Sequence, residues 1–297
     1  RFNDYTSRAS VDTPDAITLN QLFMENGYET VSYGKIYHFP DDTKEYWSEN
    51  DGGAHQADYQ DPVAQERKRN GEKGSHGPKG PAFESPEVDD YAYNDGKVTK
   101  RAIQKMEELK EAEKPFFMAV GYVSPHLPFI QPKKYWDMYD RKKIQLAKQT
   151  DEPVDGAPTG LHASFELRTR HGIPKKGLIG PELAKTLLHG YYACVSYVDA
   201  QIGLMLDALE EEGIRENTVI VVWGDHGWHL GEMGIWGKAT NYEIATRVPL
   251  IFWTPKMKKR GKGSHALVEL VDLYPTLCDL AGLSRPMHLA GKSLLPL

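Results

Sequence analysis

Residues 218–223 form a run of β-branched and aromatic residues that stops at Gly224, and Asp225, His226 and Gly227 follow at once. A short apolar run that ends at a glycine predicts a central strand of a mostly parallel sheet, with helices covering both faces. In such sheets ligands collect at the carboxyl ends of the strands. A carboxylate oxygen and an imidazole nitrogen at that place can bind one divalent cation together. The competing interpretation is a turn that only caps the next segment.

Strand and helix patterns alternate along the rest of the chain, which predicts an α/β fold. Its expected form is a central, mostly parallel sheet flanked by helices. Apolar residues at spacings of three and four predict one long helix with a single buried face. Helices are expected over residues 14–26, 91–111, 181–209 and 268–280, and strands over residues 29–34, 218–223 and 249–253 and from Phe116 onward.

Composition excludes several other classes of protein. A chain of 297 residues with 40% hydrophobic and 26% charged residues is ordinary for a globular protein with a substantial core. The net charge of −6 argues against a general nucleic-acid binder. No run of about eighteen apolar residues exists, so no membrane span is expected. Cys194 and Cys278 lie in predicted helices, which indicates buried thiols rather than a disulfide framework.

Two more strand ends carry residues that suit an anionic ester. Gly34, Lys35 and His38 form a Gly-Lys-x-x-His element, in which a lysine can neutralise an oxyanion and a histidine can carry a proton. His126 lies between two prolines after the strand that begins at Phe116, and the prolines stiffen the backbone around a candidate general acid. Taken alone, the Gly-Lys-x-x-His element favours a surface lysine with a strand-end histidine, and the alternative for His126 is a packed loop histidine.

The segment from Gly224 to Pro255 reads GDHGWHLGEMGIWGKATNYEIATRVPLIFWTP. It resembles the C-terminal metal-site segment of the sulfatase family, in the alkaline phosphatase superfamily, and most closely the iduronate-2-sulfatase-like branch. The resemblance implies that Asp225 and His226 are calcium ligands, with magnesium as the alternative, and that Lys238 touches the sulfate ester. Trp228 is expected either to pack against a sugar face or simply to pack in the core.

The two upstream elements follow the same family order. The resemblance implies that Lys35 binds the sulfate group and that His126 donates a proton to the leaving oxygen or hydrogen-bonds it. It further implies that His38 takes a proton when the aldehyde of the family's formylglycine is regenerated.

Sulfatases carry an Asp-Asp metal pair followed by a Cys/Ser-x-Pro-x-Arg signature, whose first residue becomes formylglycine. This combination is absent from the 297 residues, so no nucleophile is assigned in the chain. We therefore expect the chain to be the downstream part of a longer protein and to be inactive alone. The expected domains are a sulfatase-like α/β domain over residues 1–255, lacking its N-terminal part, and the start of a smaller C-terminal subdomain over residues 256–297.

The implied function is hydrolysis of sulfate esters on a sulfated uronic acid or another polysaccharide-derived sugar. The alternatives are a phosphodiesterase or phosphonate monoester hydrolase of the same superfamily, and a noncatalytic carbohydrate-binding relative. Expected partners are a sulfated saccharide and an N-terminal fragment of the same protein. A periplasmic, secreted or lysosomal location follows only from the resemblance.

A polar insertion is expected at about residues 49–95, because Gly, Pro, Lys, Asp and Glu dominate there. It is predicted to add little to the core, and either to remain a solvated surface or to form part of a wall that contacts an anionic saccharide. Residues 142–180 are predicted to cover the rim or edge of the sheet.

Overall fold

The computed structural model describes residues 6–52, 58–71, 73–74, 77–157, 159–258 and 260–297. The helices are α1 Ala9–Asp12, α2 Leu19–Glu25, α3 Pro62–Arg69, α4 Asn94–Glu111, α5 Lys133–Trp136, α6 Phe165–Arg168, α7 Pro181–Glu211, α8 Glu243–Thr246 and α9 Leu273–Ala281. The strands are β1 Glu29–Gly34, β2 Glu49–Gly52, β3 Lys73–Gly74, β4 Gly77–Pro78, β5 Phe83–Glu84, β6 Phe116–Gly121, β7 Phe129–Ile130, β8 Ile220–Trp223, β9 His229–Leu230, β10 Trp236–Gly237 and β11 Leu250–Trp253.

A three-stranded parallel sheet in the order β2-β1-β6 confirms the predicted β-α-β unit. Strand β1 lies in the middle, and α4 makes the crossover to β6. Val31 and Tyr33 of β1 pack against Val98 and Ala102 of α4, and these four side chains are at most 2% exposed. Burial of this apolar surface fixes α4 on the sheet.

Helix α7 confirms the predicted long amphipathic helix, which extends two residues beyond the expected end. The Tyr197 hydroxyl accepts a hydrogen bond from the Gly96 amide at 2.8 Å and donates one to the Asp90 carbonyl at 2.7 Å. These bonds tie the middle of α7 to the N-terminal end of α4. Cys194 and Cys278 are buried free thiols in α7 and α9, as predicted.

Strand β8 differs from the prediction of a strand buried within a parallel sheet. It pairs antiparallel with β11, with Trp223 opposite Leu250 and Ile220 opposite Trp253. Trp223 is 47% exposed, and the other three residues of β8 are half-buried. An apolar run alone does not distinguish parallel from antiparallel pairing, because both bury the same side chains.

The first predicted helix begins at the wrong residue. Helix α2 begins at Leu19, with Thr18 as N-cap, and the Gln21 side chain bonds back to the Thr18 amide. This bond, at 3.4 Å, gives the Thr18 amide an acceptor at the helix start. Thr13 instead ends the short helix α1, so the Thr-Pro pair at residues 13–14 marks a turn.

The insertion at about residues 49–95 contributes more to the core than its composition predicts. Strand β2 joins the parallel sheet, and β5 pairs with β7. Tyr59 and Ala82 are 2% and 1% exposed. Residues 53–57, 72 and 75–76 of this stretch lie outside the described residues. A few apolar side chains anchor the polar segment, and average polarity does not reveal them.

The last described part of the chain holds α9, which is shorter than the predicted helix over residues 268–280. It begins at Leu273, and a 3-10 turn over Leu270–Asp272 precedes it. The Tyr274 hydroxyl shares its one proton between the Ile17 and Thr18 carbonyls, at 3.1 and 3.0 Å, which fastens α9 to the residues just before α2. The separate subdomain over residues 256–297 stays a prediction. Within the described ranges, no helix has the length and apolar character needed to cross a membrane.

Candidate functional site

The carboxyl ends of β1 and β6 bring two of the predicted elements to one edge of the sheet. Gly34 and Gly121 are opposite each other in the register, and the Lys35 amide donates to the Gly121 carbonyl at 2.8 Å. A Cβ atom on Gly121 would lie 1.8 Å from the Lys35 carbonyl oxygen, so only glycine fits this approach. Lys35 therefore leaves β1 beside the loop that leads from β6 to His126.

The His126 loop is held by a buried carboxylate. Asp95, in the first turn of α4, is 3% exposed, and its two oxygens accept hydrogen bonds from the Val123 and Ser124 amides, each at 2.9 Å. Burial raises the pKa of Asp95, and the two amide donors oppose that rise. The helix N-terminus thus fixes the backbone two residues before His126.

The hydrogen bonds of His126 define which nitrogen carries the proton in its neutral form. Nδ1 lies 2.8 Å from the Leu127 carbonyl oxygen, which can only accept, so Nδ1 donates. Nε2 consequently presents its lone pair, and it lies 2.8 Å from Nζ of Lys238. The Lys238 ammonium therefore donates to Nε2 of neutral His126.

Lys238 follows β10, and the structure places it against His126. Its Nζ also lies 3.1 Å from Oε1 of Glu166. The side chains of His126 and Lys238 remain 38% and 25% exposed, so an incoming anion can reach both. Burial lowers the pKa of His126, the positive charge of Lys238 lowers it further, and Glu166 raises it.

Glu166 is a member of this cluster that sequence reasoning missed. It lies in α6, and its Oε2 is 3.4 Å from Nε2 of His126. Ser164, two residues before it, and Leu167, directly after it, are each 1% exposed, and the Ser164 hydroxyl accepts from the Trp236 amide at 2.9 Å. No local motif marks Glu166. The only signal in the sequence is an apolar residue, Leu167, beside it in a polar stretch.

Trp228 packs against His126 and Lys238. Its ring centroid is 5.9 Å from that of His126 in an edge-to-face arrangement, and Lys238 Nζ is 5.6 Å from the ring. Trp228 is 7% exposed and packs in the core with Leu127 and Trp236. The packing interpretation therefore describes most of this side chain, and its contact with a sugar face stays a prediction.

Lys35 lies close enough to Lys238 and to Asp225 for both charges to affect its pKa. Partial burial lowers the pKa of Lys35, Lys238 lowers it further, and Asp225 opposes the shift. Its Nζ donates to the Tyr37 carbonyl at 3.0 Å. His38 follows in the same segment, exposed, with its ring edge-to-face against Phe39 at a centroid distance of 5.0 Å. The assigned role of His38 stays a prediction.

Asp225 and His226 form an arrangement that suits part of a metal site. His226 Nδ1 lies 2.9 Å from the Gly227 carbonyl oxygen, so Nδ1 donates and Nε2 presents a lone pair. Oδ2 of Asp225 is 3.6 Å from this Nε2, and the Asp225 side chain is 79% exposed. Two electron-rich atoms face each other there, which fits a shared cation. Within the described part of the chain, no three His, Cys, Asp or Glu residues are grouped to hold a metal.

Comparison with known proteins gives consistent matches. A family model described as Sulfatase matches residues 4–283. Iduronate 2-sulfatase of Homo sapiens is 31% identical over 329 residues, covering 96% of this chain and 58% of that protein. A sulfatase of Formosa agariphila is 33% identical over 295 residues, covering 95% of this chain and 55% of that protein.

Among solved structures, a phosphonate monoester hydrolase from Silicibacter pomeroyi matches with a TM-score of 0.69 and 25% identity. That match covers 96% of this chain and 61% of the hydrolase. The chain thus spans 58% and 55% of the length of the two named sulfatases, so it corresponds to somewhat more than half of such a protein.

Proposed function

Because the chain belongs to the sulfatase family, we propose that it supplies the ester-binding and proton-donating part of an active site that hydrolyses sulfate esters. The observation that carries the proposal is the contact of Lys238 with His126, at 2.8 Å, at the edge where Lys35 leaves β1. Fixed cations beside a proton carrier are what an anionic ester with a poor leaving group requires.

Each residue has a distinct role in this proposal. Lys35 and Lys238 neutralise the sulfate oxygens, whose charge is retained as the leaving oxygen departs. Once protonated at Nε2, His126 donates that proton to the leaving oxygen, while Nδ1 stays bonded to the Leu127 carbonyl and keeps the ring oriented. Trp228 supports the ring of His126 from below.

The metal and the nucleophile belong to the same proposal. Asp225 and His226 would hold a divalent cation, calcium or alternatively magnesium, through a carboxylate oxygen and Nε2. Oxygen ligands suit both ions, and further ligands have to come from outside these two residues. The hydrate of a formylglycine in the upstream part of the protein would supply the hydroxyl group that attacks sulfur, and the ester oxygen of the substrate would leave. His38 would accept a proton from the second hydroxyl group of the sulfated hydrate when sulfate departs and the aldehyde is restored.

An upstream segment of the same protein is the partner that the open strand edges favour. Among the described residues, β6 pairs only with β1 and β8 only with β11. Met118 of β6 and Ile220 of β8 pack against one cluster of Met106, Ala208 and Leu209, so both strands lie over the same helices. All six residues of β6 are only half-buried. We infer that one further strand of the whole protein pairs between β6 and β8.

Two substrate classes remain. A sulfated uronic acid, or another sugar from a polysaccharide such as a glycosaminoglycan, is favoured by the 31% identity to iduronate 2-sulfatase across 96% of this chain. A phosphonate or phosphate ester is the second candidate, favoured by the fold match to a phosphonate monoester hydrolase. The proposed location outside the cytoplasm, periplasmic, secreted or lysosomal, rests on the sulfatase relatives.

The test uses the whole protein that contains this chain. Turnover of aryl sulfate, 2-O-sulfated uronate, aryl phosphate and phenylphosphonate esters is compared at equal concentrations with added calcium or magnesium. Preference for sulfate esters, lost in His126→Ala while thermal unfolding is unchanged, supports the proposal. Preference for phosphonate esters selects the second candidate. Binding of a sulfated saccharide without any turnover would indicate the noncatalytic relative.

A further inference from the structure

We propose that Glu166 is a positioning residue of this site, whose carboxylate holds Lys238 against His126 and compensates the second positive charge that forms when His126 takes up a proton. This inference rests on the proposed function for its kinetic consequence, but the charge relation can be measured without turnover. It assigns a role to α6, a helix of four residues in the otherwise irregular stretch 142–180.

The Glu166 carboxylate lies next to both Lys238 and His126, the two groups that are proposed to bind and protonate the ester. Oε1 of Glu166 lies 3.1 Å from Lys238 Nζ, and Oε2 lies 3.4 Å from His126 Nε2. Oε2 is buried and has no hydrogen-bond partner among the described residues while His126 is neutral. A buried acceptor without a partner is costly. A proton on Nε2 would supply the donor that Oε2 lacks.

Glu166 is fixed by its surroundings and is not a mobile surface side chain. Leu167 packs in the same core cluster as Leu127 and Trp228. Arg168 donates to the carbonyls of Ala163, Pro174 and Gly177 at 2.8, 2.7 and 2.6 Å, which closes the segment around α6. The carboxylate is therefore presented at a defined place, and its side chain is only 26% exposed.

The charges around His126 explain why a carboxylate is needed. Lys238 and Arg170 both disfavour the imidazolium form, and Arg170 donates to the Leu127 carbonyl at 3.0 Å beside Nδ1. Glu166 is the negative group that opposes them. Without it, only the hydrogen bond from Nδ1 to the Leu127 carbonyl would oppose burial and the two cations, and protonation at Nε2 would require a lower pH.

The first measurement follows the Cε1–H signal of His126 by NMR as a function of pH in the whole protein that contains this chain. In Glu166→Gln the titration midpoint is expected below that of the wild type, and Glu166→Asp, which keeps the charge, is expected between the two. The control is Glu107→Gln, which removes an exposed carboxylate near the C-terminal end of α4. The titration midpoint of His126 in this variant should match that of the wild type. An unchanged midpoint in Glu166→Gln would overturn the proposal.

The second measurement follows kcat and KM against pH in the whole protein. Because His126 must be protonated to act as an acid, a lower pKa moves the alkaline limb of kcat to lower pH. At a pH above the wild-type limb, Glu166→Gln should lose about tenfold in kcat, as expected for weakened acid catalysis. KM should not rise, since a negative charge has been removed from beside an anionic ester.

Other outcomes distinguish a failure of the positioning role of Glu166 from a failure of the proposed function. A higher KM with unchanged kcat would mean that Glu166 contacts the substrate, and it would refute the positioning role. If the whole protein turns over no sulfate ester although Glu166→Gln still lowers the His126 midpoint, the proposed function fails while the charge relation stands. If Glu166→Gln does not fold, the Glu166→Asp titration and its kcat profile decide.

Discussion

Removal of the Asp95 carboxylate is expected to loosen the backbone that carries His126. In Asp95→Ala, the amides of Val123 and Ser124 lose acceptors at 2.9 Å each. Each buried N–H group left without a partner costs about 1–3 kcal/mol. Val123 and Ser124 are only half-buried, so water compensates part of the loss. We therefore expect the free energy of unfolding to fall by about 2–3 kcal/mol.

Asp95→Asn tests how much each of the two hydrogen bonds contributes to the free energy of unfolding. Its amide oxygen can still accept from one backbone N–H, but its NH2 group faces the other, so about half of the loss is expected, roughly 1–1.5 kcal/mol. Asp137→Asn is the matched control, because Asp137 is exposed and, among the described residues, forms an ion pair only with Lys133 one turn away. Its effect should stay within about 0.5 kcal/mol.

Urea unfolding followed by tryptophan fluorescence measures these differences, provided that the slope against urea concentration is unchanged. The pH dependence gives an independent check. The pKa of Asp95 is raised in the folded state, so the wild type loses stability as the pH rises from the unfolded to the folded pKa. Asp95→Asn lacks this dependence. An Asp95→Ala variant as stable as the wild type, with an unshifted His126 signal, would refute the reasoning.

Three further changes test other parts of the site. Lys238→Ala should lower sulfate-ester turnover of the whole protein by about a hundredfold or more, with little change in thermal unfolding, because it removes a fixed charge from the ester; wild-type turnover would exclude Lys238 from the site. Asp225→Asn should weaken binding of calcium measured by calorimetry, and an unchanged affinity would contradict its assignment as a ligand. Leu167→Ala empties a core position that is 1% exposed, so urea unfolding should show a loss of about 2–5 kcal/mol. A loss below about 0.5 kcal/mol would mean that the cavity collapses without cost.

Local sequence determined the elements whose signals lie within a few residues. The periodic apolar positions of α7 and the apolar runs of β1 and β6 predicted those elements to within two or three residues, because the burial of one helix face or one strand is encoded along its own length. The same local logic placed Lys35, His126 and Asp225 after strands. Motif resemblance then supplied Lys238, which periodicity alone does not distinguish from other loop residues.

Local signals gave wrong predictions where two sequence patterns competed. Thr13 and Pro14 suggested a helix start, but the capping box at Thr18 and Gln21 was the one used. The polar composition of residues 49–95 concealed Tyr59 and Ala82, since a single anchored side chain does not change an average.

The tertiary structure alone decided which distant residues meet. Glu166 reaches Lys238 and His126 only because Leu167 is packed in the core and Ser164 is bonded to the Trp236 backbone. Asp95 and the His126 loop are joined by the crossover from α4 to β6. Sequence determined the chemistry available at each strand end, because side-chain identity and local periodicity are written there. The charge balance around His126 depends on distances between separate segments, and only packing sets those distances.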